Sequence, residues 1–310
     1  MLRPRLRIPQ AGALLRRTSL FTRSEHTVAV LDQFKHHNAV PGLLSPAGYS
    51  IAWTQYMEHI TSRLNRMVAG TDAEHQDTLT ILKAAARDPG SAAIFNFASM
   101  AHNNHFFFKQ LVNLETLYRE RGQARAARQS EEGETILSST AEPQDIELEP
   151  SEARIPTRLK NELERNFSSV KTLRLEFIAT AMGMFGPGFV WLVRHAQSTE
   201  LRILTTYLAG SPYTAAHWRR QGLDFNTMSA DRPGVSAWLD RSQTGAGNNG
   251  GRFGPQAPGG TDVVPLLCLN TWEHVWLTDY GITGKRDFVE QWWEAIDWNK
   301  VSALAIPTRM

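Results

Sequence analysis

The sequence has one cysteine, Cys268, among 310 residues. A single thiol excludes an internal disulfide framework and a thiolate cluster for zinc or iron–sulfur, and it fits a reducing interior compartment. Long hydrophobic runs are also missing. The most apolar stretch, residues 177–193, is interrupted by Gly183, Gly186, Pro187 and Gly188, which makes it too short and broken for a membrane span and places it in a buried core. No HExxH motif or Ser-His-Asp arrangement is present to suggest a hydrolase. Acidic residues are absent before Glu25, while Arg3, Arg5, Arg7, Arg16, Arg17 and Arg23 all fall in that span.

An arginine-rich, acid-free segment seeded with Leu14, Leu15, Leu20 and Phe21 has the composition of a mitochondrial presequence, assigned here to residues 1–25. The same charges would also suit a basic arm that contacts phosphates. Setting residues 1–25 aside removes six of the 33 basic and one of the 31 acidic residues, leaving 27 against 30 and a net charge of −3. The remaining body is therefore not a basic nucleic-acid glove, and any RNA contact would come from local patches. Across the full chain, 42% hydrophobic and 21% charged residues are those of an ordinary globular protein with a real core.

From Pro46 to Tyr118 apolar residues recur at helical spacing, through Ile60, Leu64 and Met67 and again from Ile94 to Phe108, which predicts a helical hairpin within a domain spanning 26–118. Residues 119–156 turn from basic to acidic and are poor in large apolar side chains, the composition of a flexible insert. Globular patterning returns over 157–302. A helix is expected through Leu163, Phe167, Leu173 and Phe177, strands at Phe189–Val193, Leu201–Tyr207 and Val263–Asn270, and a closing helix over Phe288–Val301. Within this domain residues 241–262 form a second insert. Seven glycines between Gly245 and Gly260 mark it as a loop rather than a phosphate cradle, since neither GK[ST] nor GxGxxG stands there.

Four blocks resemble, in order, the iron/manganese superoxide dismutase family. They are His102-Asn103-Asn104-His105 followed by Phe106, Phe107 and Phe108; Gly183-Met184-Phe185-Gly186-Pro187-Gly188 with Phe189, Val190 and Trp191; Asn270-Thr271-Trp272-Glu273-His274; and Phe288 to Trp298. The resemblance spans about 45–302 and implies an α+β fold: an N-terminal helical hairpin, then a C-terminal α/β domain with a three-stranded antiparallel sheet. Both inserts fall between blocks, where loops tolerate length.

The resemblance also implies where a metal site would lie. The family's ligands are three histidines and one aspartate, and here their positions fall on Ala52, His105, Asn270 and His274. Alanine ligates nothing, and an amide in place of a carboxylate removes the anionic oxygen a trivalent metal needs. The glutamine that binds the metal-bound solvent is placed on Phe185, where it would block the solvent network, and the gateway tyrosine on Ile60. No catalytic residue, no metal and no cofactor is therefore expected. His105 and His274 are read as buried, hydrogen-bonded core histidines, His59 and His102 as surface or interface residues, and Trp272, Trp276, Trp292, Trp293 and Trp298 as core and interface aromatics.

A presequence on this fold without its ligands resembles the catalytically dead branch of the family in the small subunit of the mitochondrial ribosome, known best from fungi. That resemblance implies a structural, non-enzymatic subunit in the mitochondrial matrix. It implies partners among the small-subunit proteins, including a related dismutase-like chain paired through Glu273 and His274, with ribosomal RNA touched through local patches and no membrane. The alternatives are a matrix superoxide dismutase with an atypical metal site and a free scaffold outside the ribosome.

Overall fold

The structure, a computed structural model, describes residues 26–117, 151–213 and 262–305, apart from 87, 197 and 199. The presequence, most of the 119–156 insert and nearly all of the 241–262 insert lie outside those residues.

The chain enters along the helical region, where His26 hydrogen-bonds Asn65 through its backbone and ring. Ser45 then caps the first helix, α1 (Pro46–Tyr49), by accepting from the Gly48 N–H at 3.1 Å, with proline at the first helical position where its missing N–H costs nothing. A π-helical turn (Ser50–Gln55) leads into α2 (Tyr56–Val68). Buried Met57, Ile60, Thr61, Leu64 and Val68 make one stripe of α2, as its spacing predicts. A short helix unforeseen in the sequence, α3 (Thr78–Ala85), sits between the arms of the hairpin and closes its tip with Ile81 and Leu82 against Leu64, Val68 and Phe95. The second arm, α4 (Ala92–Lys109), is buried on most sides because it lies between α2 and α3 and also against the sheet.

The single helix expected through Phe177 is two: α5 (Thr157–Phe167) and α6 (Val170–Gly183). Ser168 breaks them with φ +67°, and Ser169 caps the second by accepting from Thr172 N at 3.0 Å. The three strands β1 (Gly188–His195), β2 (Leu201–Tyr207) and β3 (Val263–Asn270) form an antiparallel sheet in the order β2-β1-β3. The central strand is covered on both faces, so Phe189 to Val193 form an unbroken apolar run instead of an alternation. The closing helix is also split, into α8 (Lys285–Glu294) and α9 (Trp298–Ala305), after α7 (Glu273–Tyr280). Asp297 makes the break by accepting from the Asn299 and Lys300 N–H groups, and its own N–H donates to Gln110 O at 2.8 Å.

The 119–156 insert ends earlier than its composition suggests. Residues 151–154 form a 3-10 turn, and buried Ser151 donates to Trp293 O at 2.8 Å while accepting from Trp298 Nε1 at 2.7 Å. Arg174 bridges Glu152 and Glu294 over the same spot. Local composition could not show this, because the partners lie about 140 residues away. Among the described residues no helix is long and apolar enough to cross a membrane.

The helical region meets the C-terminal domain where α4 packs on β3 and where α1 and the π-helical turn pack on α7. Gln110, just past α4, secures the first. Its amide nitrogen donates to Leu266 O and its oxygen accepts from Cys268 N at 3.1 Å, so one buried side chain satisfies the outer edge of β3 as a neighbouring strand would. Gln110→Met is expected to strand both backbone groups and destabilise the fold by about 2–4 kcal/mol. Chemical denaturation would show a lower midpoint at unchanged slope, and an unchanged midpoint would mean that the edge is satisfied otherwise.

Candidate functional site

The positions assigned by resemblance to metal ligands come from four elements at the junction between helices and sheet. Ala52 lies in the π-helical turn, His105 on α4, Asn270 at the end of β3 and His274 in the first turn of α7. Ala52 and Asn270 are fully buried. What joins them is a chain of amide hydrogen bonds. Asn270 Nδ2 donates to Asn104 Oδ1 at 3.0 Å, and Asn104 Nδ2 donates to the Ala52 carbonyl at 3.1 Å. The other end of the Asn270 amide accepts from Trp272 N at 2.9 Å, so the side chain is engaged at both ends.

The two histidines stand differently from the expectation. Neither is fully buried. His105 lies 6.0 Å from the Trp53 ring, and burial, helped by the Lys109 cation, holds its pKa below the ordinary imidazole range. His274 stacks on Tyr56 at 4.0 Å and 28°, and burial pushes its pKa down to about 4. Its Nε2 is buried with no hydrogen-bond partner in the structure, so it is not a hydrogen-bonded core histidine in the sense expected. The Tyr56 hydroxyl is pushed well above its ordinary range by burial.

A redox metal does not fit this donor set. Alanine offers no side-chain donor, the Asn270 amide is spent on Asn104 and Trp272, and no carboxylate takes its place. Among the described residues no three His, Cys, Asp or Glu side chains are grouped closely enough to hold a metal ion. Cys268 is fully buried, and desolvation raises its thiol pKa far above the usual value.

Two expectations about neighbouring residues need correction. Phe185, expected to block a solvent network, is 96% exposed and does not enter the site. It lies in the turn between α6 and β1, where Gly186 at φ +99° turns the chain and leaves the ring outside. His102, expected at the surface or an interface, is half-buried within the chain itself. Its Nε2 lies 2.8 Å from the Tyr213 hydroxyl, with the Lys83 ammonium over that same ring, and burial first and then His105 bring its pKa down to about 4. Ile60 is buried in the stripe of α2.

Asn103 and Asn104 stand inside the second-helix motif, and the resemblance implies no role for either. Both are fully buried: Asn104 carries the amide chain, and Asn103 donates to Gly210 O at 2.9 Å and accepts from Ser211 Oγ at 3.1 Å, fixing the segment after β2. The signal is two adjacent amides on the buried part of a helix rich in apolar residues, since polar side chains there must find partners. Glu273, beside His274, is exposed at the first turn of α7, a favourable end for an anion.

Residues 155–222 and 252–304 match the family described as iron/manganese superoxide dismutases, C-terminal domain. The chain is 28% identical to small ribosomal subunit protein mS43 of Schizosaccharomyces pombe over 89% of its length and 82% of the relative's. It is 24% identical to small ribosomal subunit protein mS42 of the same organism, over 74% of each. An iron superoxide dismutase of Campylobacter jejuni is 21% identical over 86% of this chain and 84% of its own. The fold is that of an iron/manganese superoxide dismutase, with a helical N-terminal region and a three-stranded antiparallel sheet.

Asn270→Asp puts a carboxylate against the Asn104 carbonyl oxygen in a fully buried position. Asn104 can turn its NH2 toward it only by releasing Ala52 O. Burial should raise the folded-state pKa of the new carboxyl, so stability close to that of the parent chain is expected below the ordinary carboxylate range and is lost as pH rises through that raised value. At pH 7 the loss is expected to be about 2–4 kcal/mol, measurable by denaturation at pH 4.5 and 7. Equal stability at both would show that the carboxylate finds compensation.

Proposed function

We propose that this chain is a structural constituent of the small subunit of the mitochondrial ribosome, a dismutase-like protein without catalysis that serves in a dimeric platform. The observation that supports this most directly is the doubly engaged Asn270 amide tied through Asn104 to Ala52. Those side chains do for the fold what ligands would otherwise do for a metal. The similarity to two small ribosomal subunit proteins across most of each chain supplies the assembly. The arginine-rich first 25 residues support import and a place in the matrix.

Its partners are other small-subunit proteins, among them a related dismutase-like chain. Residues Glu273 and His274 form the contact, each glutamate meeting the partner's histidine. With RNA, the body beyond residue 25, at net charge −3, makes only local contacts. A superoxide dismutase with an atypical site would need a redox ion held by His105 and His274 without an anionic ligand, and the donor set argues against it.

Sedimentation of mitochondrial lysate in high salt is expected to place the protein with the small subunit, and a light peak at low salt would sink the ribosomal assignment. The purified chain is expected to carry manganese and iron far below stoichiometry and to show no superoxide dismutation above a metal-free control. Stoichiometric metal with turnover would favour the enzyme instead. Glu273→Ala is expected to weaken pairing with the dismutase-like partner by about tenfold or more, read by co-purification or analytical ultracentrifugation. Unchanged pairing and unchanged incorporation into the subunit would remove the dimer platform.

A further inference from the structure

Helix α6 packs on α8, and a groove of about 690 Å3 opens between them. Its apolar lining comes from α6: Ile178 and Ala179, with Leu175 at 59% and Met182 at 41% exposure. Leu175, Ile178 and Met182 recur three and four residues apart and so share one helix face. Three cations, Lys171, Arg174 and Arg286, line the same groove against two acids, Glu152 and Glu290. Arg174 bridges Glu152 at 3.5 Å and Glu294 at 3.3 Å, and Arg286 meets Glu290 at 2.9 Å. Lys171 is exposed and, among the described residues, has no acidic partner. Aliphatic side chains left in water beside an unneutralised cation fit an occupant that alternates aliphatic and acidic residues.

A segment of that chemistry is tethered at one end of the groove. The chain leaves for its charged insert and returns from it beside the end of α8. Val112 N donates to Ala295 O at 2.9 Å before the insert, and Ser151 N donates to Glu294 Oε2 at 2.9 Å after it. The next residue, Glu152, already lines the groove. Directly before Ser151 the sequence reads Asp145-Ile146-Glu147-Leu148-Glu149-Pro150, a stretch outside the described residues. Strict alternation puts Ile146 and Leu148 on one side of an extended chain and the three carboxylates on the other. Pro150 biases Glu149 toward extended backbone. The lengths agree as well, since five extended residues reach about 16 Å and α6 from Lys171 to Met182 measures about 16 Å. A tether this short gives an effective concentration on the order of millimolar, so a small contact suffices.

We infer that residues 145–149 occupy the groove between α6 and α8, with Ile146 and Leu148 on Leu175, Ile178 and Met182 and the acids along its cationic rim. The pairing of Glu152 with Arg174 fixes where the segment enters, which sets Glu149 opposite Lys171. From there it runs toward Met182 and Arg286, the end at which Lys285 Nζ donates to Met184 O at 3.1 Å. Groove and segment belong to one chain, so the contact requires neither the ribosomal role nor pairing through Glu273.

The test places a benzophenone amino acid at 175, and separately at 182, in the purified full-length chain and maps the crosslinked peptides. Mixing light and heavy isotope-labelled chains separates contacts within a chain from contacts between copies. Crosslinks from both positions into residues 142–150 of the same chain are expected. Ile146→Ser with Leu148→Ser should lower their yield by about tenfold or more. Lys171→Glu should lower it too, and adding Glu149→Lys to that variant should restore it. Crosslinks elsewhere in the chain or to a second copy would overturn the assigned occupant. So would crosslinks that form only in the assembled small subunit, to another protein or to RNA, and the groove would then belong to that partner. Parent yield in the double serine variant would overturn the aliphatic contact, and a Lys171→Glu loss that Glu149→Lys leaves unrestored would overturn the assigned direction.

Discussion

The fold depends on holding a helical region against a three-stranded sheet, and the amide chain Asn270–Asn104–Ala52 is a buried polar link across that junction. The positions that the resemblance assigns to metal ligands lie there. Here a neutral relay spans the same three elements, β3, α4 and the π-helical turn. It carries no net charge into the interior, so no counter-ion is needed, and every amide end it uses is paired. A buried polar group with its partners also specifies register: a slip of α4 along β3 would break two side-chain bonds at Asn104 and two more at Gln110.

Around this link the aromatic residues fill the junction. Trp53 packs at 5.1 Å from Phe108, Tyr49 at 5.9 Å from the same ring, and Phe106 at 5.6 Å from Trp191 on the central strand. Trp292, Trp293 and Trp298 make a second cluster where α8 and α9 close on α6 and the returning segment at Ser151. Burial holds both histidines left in the junction, His105 and His274, below the ordinary imidazole range.

The outer face follows from the same geometry. The end of β3 continues directly into Trp272 and α7, so the residue that anchors the amide chain is three positions from Glu273. An element fixed inside by Asn270 is thereby rigid outside at Glu273 and His274, and rigidity lowers the entropy lost on association. The turns of Phe185 and Ile282 are joined to each other through Lys285 and Met184.

Apolar periodicity and β-branched runs fixed much of the architecture locally. The Leu201–Tyr207 and Val263–Asn270 strands fall where their composition places them, and the stripe of α2 follows its spacing. The motif around Asn270, Trp272 and His274 pointed to the fold and to an altered site. Helix ends were less legible, because Ser168 at positive φ and the cap of Asp297 stop helices whose apolar patterns run on. Only the tertiary structure decided that Phe185 faces water, that His102 is sequestered against Tyr213, that Ser151 is buried and that Asn104 joins Asn270 to Ala52. Those outcomes rest on contacts between residues far apart in the chain, and spacing within one segment carries no information about what a side chain meets across a junction.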